Sequence, residues 1–208
     1  MSSENPAAGV RTVAIMDLGS NSLRMMIVRV GENRVTSVLN QVKQMVRLGE
    51  GAFEAHRLQP EPMRRTIAAL RGFAGMCRSY GVDEVVALAT AAVRDAENGQ
   101  EFMDEIRRET GIDFTVISGR EEARLICRGV SVALEPFAGK RMFIDIGGGS
   151  TELSVASGSN ILELESLKLG AVRLAGLFPC SDAVSPQRYA EMQKYVRDHA
   201  VLPLQRME

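Results

Sequence analysis

Two ten-residue stretches, "IMDLGSNSLR" (15–24) and "FIDIGGGSTE" (143–152), carry the same order of residue types: two apolar residues, an aspartate, an apolar residue, a glycine, two small residues, a serine, one more residue and a charge. Asp17 and Asp145 are 128 positions apart, and so are Ser22 and Ser150. An aspartate ending a strand beside a loop almost without side chains has a definite chemistry. Glycine lacks the Cβ that would hold a ligand away, so loop N–H groups can close on a phosphate. The aspartate would repel bare phosphate, so its natural partner is a divalent cation such as Mg2+, held directly or through water. One Asp-x-Gly turn is an ordinary tight hairpin. Two with matched flanks are an internal repeat, and a phosphate loop on each of two domains makes a clamp for a polyphosphate. Neither G-x-x-x-x-G-K-[ST] nor G-x-G-x-x-G occurs, which excludes a P-loop and the dinucleotide fingerprint.

These loops need elements to hold them. Thr12–Met16 and Leu23–Val30 are apolar strands running into and away from the first loop. Gly31-Glu32-Asn33 signals a hairpin into a third strand, Arg34–Val46. The loop thus joins strand to strand, not strand to helix. Pro60 and Pro62 open a helix with apolar residues at Met63, Ile67, Leu70, Phe73, Met76 and Tyr80, closed by Gly81. "EVVALA" (84–89) is a continuous apolar run expected as a buried strand. A helix from near Asn98 to Gly111 and a strand "DFTVI" (113–117) follow. Ser118 with Glu121 forms a capping box that starts another helix. After the break "EPFAGKR" the pattern restarts with Met142–Asp145, the glycine loop, Glu152–Ala156, a turn and Ile161–Lys168. A last helix begins at Ser185-Pro186 and ends before Pro203.

The second half of the repeat is shorter than the first. The expected organisation is a tail at 1–11, domain I at 12–136 and a partial domain II at 137–208. Its incomplete sheet would leave an edge strand that invites a homodimer. The 208 residues are 45% hydrophobic and 25% charged, ordinary values for a globular protein. A net charge of −1 argues against nucleic-acid polymers and membrane surfaces as partners. Cys77, Cys127 and Cys180 have no metal-ligand spacing and fit small buried residues in a reducing compartment, and no apolar run approaches a membrane span. A cytoplasmic protein is expected. His56 and His199 share no catalytic arrangement, and the eleven methionines fit core filling.

Six segments in order, "DLGSNSLRMMIV", "VRLGEG" (46–51), "ATAAVRDAENGQEF" (89–102), "ISGREEARLI" (117–126), "FIDIGGGSTELSV" and "LKLGAVRL" (167–174), resemble the signature segments of the exopolyphosphatase / guanosine pentaphosphate phosphohydrolase family. That family belongs to the superfamily of actin, sugar kinases and heat-shock chaperones. The resemblance implies an α/β, actin-like (ribonuclease H-like) fold of duplicated domains, with mixed sheets flanked by helices. It implies that Gly19, Ser20, Asn21 and Ser22 form the first phosphate loop and Gly147, Gly148, Gly149 and Ser150 the second. Arg94 matches the family arginine that reaches phosphate in the interdomain cleft, and Arg24 is a further phosphate ligand. Asp145 and Glu152 match acids that hold the divalent metal or orient water, with Asp17 sharing that role.

Glu121 and Glu122 separate on physical grounds. Glu121 serves the cap, whereas Glu122 lies about 100° further round the helix and is free for other work. A carboxylate near phosphate and metal is what in-line attack by water needs as a general base. The family's catalytic glutamate matches Glu122. The implied activity is metal-dependent release of terminal phosphate from polyphosphate or guanosine pentaphosphate. A binding module without turnover, and a related kinase or ATPase, are the alternatives; "ISGREEARLI" argues against the latter.

Overall fold

The computed structural model describes residues 9–31, 34–134, 139–180 and 183–207. Glu32 and Asn33 of the expected hairpin, residues 135–138 of the expected break and residues 1–8 of the expected tail lie outside them. Two sheets are built on the two loops. The first contains β1 (Arg11–Leu18), β2 (Leu23–Gly31), β3 (Arg34–Gln44), β4 (Glu84–Ala89) and β5 (Thr115–Val116), in the order β3-β2-β1-β4-β5. The β1–β2 and β2–β3 pairs are antiparallel, while β1–β4 and β4–β5 are parallel, so the sheet is mixed. The second contains β6 (Lys140–Ile146), β7 (Thr151–Ser157) and β8 (Asn160–Leu167), antiparallel throughout. This repeats β1–β3, strand for strand.

Alternation decides what each strand buries. In β1, Ala14, Met16 and Leu18 face the core, while Ile15 and Asp17 face the other side. The core side is covered by α2 (Pro60–Ser79) and α4 (Gly99–Thr110), which supply Leu70, Phe73, Phe102 and Ile106. Tyr80 is the C-cap of α2 and Gly81 adopts φ +59, the left-handed turn expected there. The short helices α1 (Ala52–Ala55) and α3 (Ala91–Arg94) lie near the loops.

Helix α5 (Gly119–Ala133) leaves the first sheet at β5 but packs on the second: Ala123 and Cys127 are fully buried against Ala156 and Leu164. Helix α6 (Ala171–Leu177) follows β8, and α7 (Pro186–Gln205) packs Tyr195, Val196 and Ala200 beside Leu153, Val155 and Leu167.

Five expectations change, the first being burial of all three cysteines: Cys77 and Cys127 are buried but Cys180 is exposed. Strand β4 is only half buried, with Glu84, Val85 and Val86 exposed, because β5 covers its outer edge at Leu88 and Ala89 alone. Strand β5 is accordingly two residues, not five. Ser118 Oγ accepts from the Glu121 N–H at 3.1 Å, but the Glu121 carboxylate turns to Arg124 at 2.6–2.7 Å, leaving half a capping box. Helix α7 runs through Pro203 to Gln205; in the last turn the missing N–H breaks only one bond near an end that is already open. Helix α6 was not foreseen.

Candidate active site

Both loops have the same construction. The pair Leu18–Leu23 closes the first ladder and Ile146–Thr151 the second, so each leaves four loop residues, 19–22 and 147–150. Gly19 N–H donates to Ser22 O at 3.0 Å, and Gly147 N–H to Ser150 O at 2.9 Å.

What holds each loop also aims it. The carbonyls of Gly147 and Gly148 accept from the Ala171, Val172 and Arg173 N–H groups at 2.8–3.1 Å, the otherwise unpaired first turn of α6. Gly149 O accepts from Arg173 Nε at 2.8 Å. In a trans peptide the C=O and the following N–H point opposite ways. With three successive carbonyls drawn toward α6, the N–H groups of Gly148, Gly149 and Ser150 face the other way. The first loop is backed by the segment 47–49, whose Arg47 and Gly49 N–H groups donate to Asn21 O and Ser20 O at 2.8 and 2.7 Å. This turns the Asn21 and Ser22 N–H groups outward. "VRLGEG" and "LKLGAVRL" therefore act as props for the two loops. Arg47 holds φ 49°, a strained value for arginine, to deliver its N–H.

Every site residue expected from the sequence except Arg94 lines one cavity of about 280 Å³. The two loops touch at its floor: a Cβ on Gly148 would stand 3.2 Å from Asn21 N, and one on Gly149 would collide with Ser20 Oγ, the Phe53 ring and Ala91 Cβ. Ser20 Oγ is buried and has no hydrogen-bond partner among the described residues.

Four carboxylates face this cavity. Asp145 and Glu152 are directly opposite in the β6–β7 register, and Asp17 is opposite Arg24 in β1–β2. Glu152 is only 3% exposed and accepts from Ser166 Oγ at 2.8 Å. Its burial, then the charge of Glu122, pushes its pKa up to about 7 against the pull of the Ser150 and Ser166 hydroxyls. Glu122, on the first turns of α5, is raised by burial and drawn down by Arg94. Asp17 opens on the cavity; desolvation raises it, Arg24 opposes, and Asp145 adds to the rise. Glu121, outside the cavity, is lowered by its bond to Arg124. Arg94 lies behind Glu122, donating from Nη1 to Glu122 Oε2 and to Ile117 O, both at 3.0 Å.

No group of three His, Cys, Asp or Glu side chains among the described residues forms a ready-made metal cage. The donor chemistry nevertheless suits a hard cation. A glutamate that retains its proton chiefly through burial, then through the charge of Glu122, would be relieved by a divalent ion, and Mg2+ takes one or two carboxylates with the rest from water and phosphate.

Sequence reasoning missed Arg173 and Lys43. Arg173 is buried, stacks 4.0 Å over Phe53 and bonds Asp95 at 2.5 Å, joining the second loop to α1 and α3. The segment "LKLGAVRL" contained it, but no local pattern marks a buried cation. Lys43 lines the cavity from β3, opposite Arg24.

A mixed sheet flanked by helices, and a second sheet repeating its first three strands around an equivalent glycine loop, place the chain in the actin-like α/β class. The chain belongs to the Ppx/GppA phosphatase family, whose model matches residues 26–207. It is 34% identical over 180 residues to a Haemophilus influenzae protein named, provisionally, an exopolyphosphatase, covering 86% of this chain and 55% of that one. A solved exopolyphosphatase from Cytophaga hutchinsonii shares 30% identity and a TM-score of 0.89 over 95% of this chain and 62% of its own. An Aquifex aeolicus Ppx/GppA family member gives 30% identity and a TM-score of 0.70, over 91% and 61%. The chain thus spans about three fifths of the length of these relatives. No helix among the described residues is long and apolar enough to cross a membrane.

Proposed function

We propose that the chain carries the phosphate-binding loops and catalytic carboxylate of a hydrolase that releases terminal phosphate from polyphosphate, guanosine pentaphosphate or both. One observation carries the reading: two glycine loops, each with its carbonyls pulled backward by a prop, present outward N–H groups beside Glu122. Gly19–Ser22 and Gly147–Ser150 bind the terminal phosphoryl groups, with Arg24 and Arg94 neutralising their charge. Glu122 accepts a proton as water attacks the terminal phosphorus in line; the bridging P–O bond breaks and the electron pair stays on the shortened chain. Asp145 and Glu152, with Asp17, would hold a divalent ion, which supplies charge neutralisation at the phosphoryl oxygens. The domain limits 12–136 and 137–208, a homodimer and a cytoplasmic setting belong to the same reading.

A second reading, binding without turnover, is favoured by the Glu122 carboxylate being occupied by Arg94. Phosphate release from long-chain polyphosphate and from guanosine pentaphosphate, with Mg2+, separates the two. Release by the chain that is lost in Glu122→Gln supports hydrolysis and names the substrate. Binding of polyphosphate with no release supports the module. Neither binding nor release would sink both.

A further inference from the structure

Behind the cleft lies a second cavity of about 310 Å³, between the first turn of α5, strand β8 and Arg173. It abuts the first at Ser150, which lines both cavities. Arg94 lines the second while its Nη1 reaches Glu122 in the first. The charge of the two differs in sign. The cleft gathers Asp17, Glu122, Asp145 and Glu152 against Arg24 and Lys43, whereas the second cavity gathers Arg94, Arg120, Lys168 and Arg173 against Asp95 and Glu165.

Both of its carboxylates already have partners. Asp95 Oδ2 takes Arg173 at 2.5 Å, and Glu165 Oε1 accepts from Arg206 Nε at 2.9 Å. Lys168 Nζ stands 3.5 Å from the same Asp95 oxygen that Arg173 holds, and its side chain is 73% exposed. Arg120 makes no side-chain ion pair among the described residues and is exposed. Among the described residues Arg120 thus has no carboxylate, and Lys168 shares Asp95 with Arg173. The α5 terminus adds its partial positive charge on the same side. Among the described residues no aromatic ring lines the cavity. Forked guanidinium groups and an ammonium suit tetrahedral phosphate oxygens.

We propose that this cavity, which adjoins the cleft at Ser150 and Arg94, is a second phosphate subsite. It takes either a more distant phosphoryl group of the polyphosphate or the orthophosphate just released. The proposal rests on the reading of the cleft as a phosphate site.

Calorimetric titration with orthophosphate, pyrophosphate and long-chain polyphosphate, each with Mg2+, tests it on the unaltered chain and on Arg120→Ala/Lys168→Ala. Loss of two cation–phosphate contacts should weaken the affected ligand about tenfold and lower the salt dependence of its binding. Weaker polyphosphate with unchanged pyrophosphate assigns the subsite to the substrate's tail. Weaker orthophosphate with unchanged polyphosphate assigns it to the product. The charge-keeping Arg120→Lys/Lys168→Arg should restore either. Unchanged affinities, or equal weakening of all three probes, would overturn the subsite alone. If the unaltered chain binds none of them, the cleft reading falls and the subsite with it.

Discussion

Arg94 and Glu122 hold one another across the wall of the cleft, Nη1 to Oε2 at 3.0 Å, with 22% and 15% of their side chains exposed. Arg94 also grips Ile117 O, one residue before the N-cap of α5, so it fixes both the carboxylate and the start of its helix. Removing either partner has a different consequence. Arg94→Ala leaves a desolvated carboxylate alone, so the Glu122 pKa should rise further and stability should fall by about 2 kcal/mol in urea titrations. Glu122→Gln keeps an acceptor for the guanidinium without the desolvated charge, so stability should change by less than about 1 kcal/mol. Phosphate release, where present, should fall on the order of 10²–10⁴-fold. Glu122→Gln with undiminished release would remove Glu122 from the base role.

Glu152 makes stability pH-dependent. In the folded chain it keeps its proton up to about pH 7, against an ordinary value of 4.5. Between those values the folded state binds more protons than the unfolded state. Its contribution is therefore fully present below about pH 4.5 and is lost as pH rises through about 7. The loss is on the order of 3 kcal/mol. Denaturant titrations in chelator should show this fall in the parent and not in Glu152→Gln. A parent curve level over the same window, relative to that variant, would refute the assignment.

Mg2+ should offset that loss. Added at pH 8, it should raise the Tm of the parent chain more than that of Glu152→Gln, because ion binding adds stability only to the state that holds it. Equal shifts would place the ion elsewhere.

Two glycines give opposite expectations. Gly149→Ala would drive a methyl into Ser20 Oγ, Phe53 and Ala91, forcing the loops apart. It should cost about 1–3 kcal/mol and weaken pyrophosphate binding. Gly72, exposed within α2, has open space where a Cβ would go. Gly72→Ala should stabilise by about 0.5–1 kcal/mol with binding unchanged. Thermal melts and the same titration check both.

Arg173 combines bonds to Gly149 O and Asp95 with stacking on Phe53. Arg173→Lys should not rescue it, since an ammonium cannot reproduce the planar fork that reaches both acceptors and lies on the ring. Both Arg173→Ala and Arg173→Lys should lower Tm and speed hydrogen exchange at the amides of residues 171–173, which donate to the loop carbonyls. Full rescue by lysine would reduce Arg173 to a simple charge.

The loops and their strands were legible because a duplicated motif with alternating apolar flanks leaves few arrangements. Asp145–Glu152 and Asp17–Arg24 follow from four-residue turns that fix register. Helix α2 was legible from its proline start, apolar spacing and glycine end. Other features depended on contacts distant in sequence. The exposed half of β4 follows from how little of it β5 covers, which "EVVALA" does not encode. The props depend on backbone groups meeting across the fold, Arg47 with Asn21 and Ala171 with Gly147, so side-chain types gave no sign of them. The choice of Arg124 over the cap by Glu121 was a competition between two local partners, won by the bidentate one.

Helix α5 springs from the edge of one sheet and is bedded on the other. Kinematically it is a lever whose fulcrum is the short stretch between Val116 and Gly119. Any rotation of the second sheet against the first would carry Glu122 together with Glu152 and Gly147–Ser150 as one piece, and would draw them away from Arg94, Asp17 and Gly19–Ser22. The distance from Arg94 to Glu122 is thus a gauge of how far the two halves have swung.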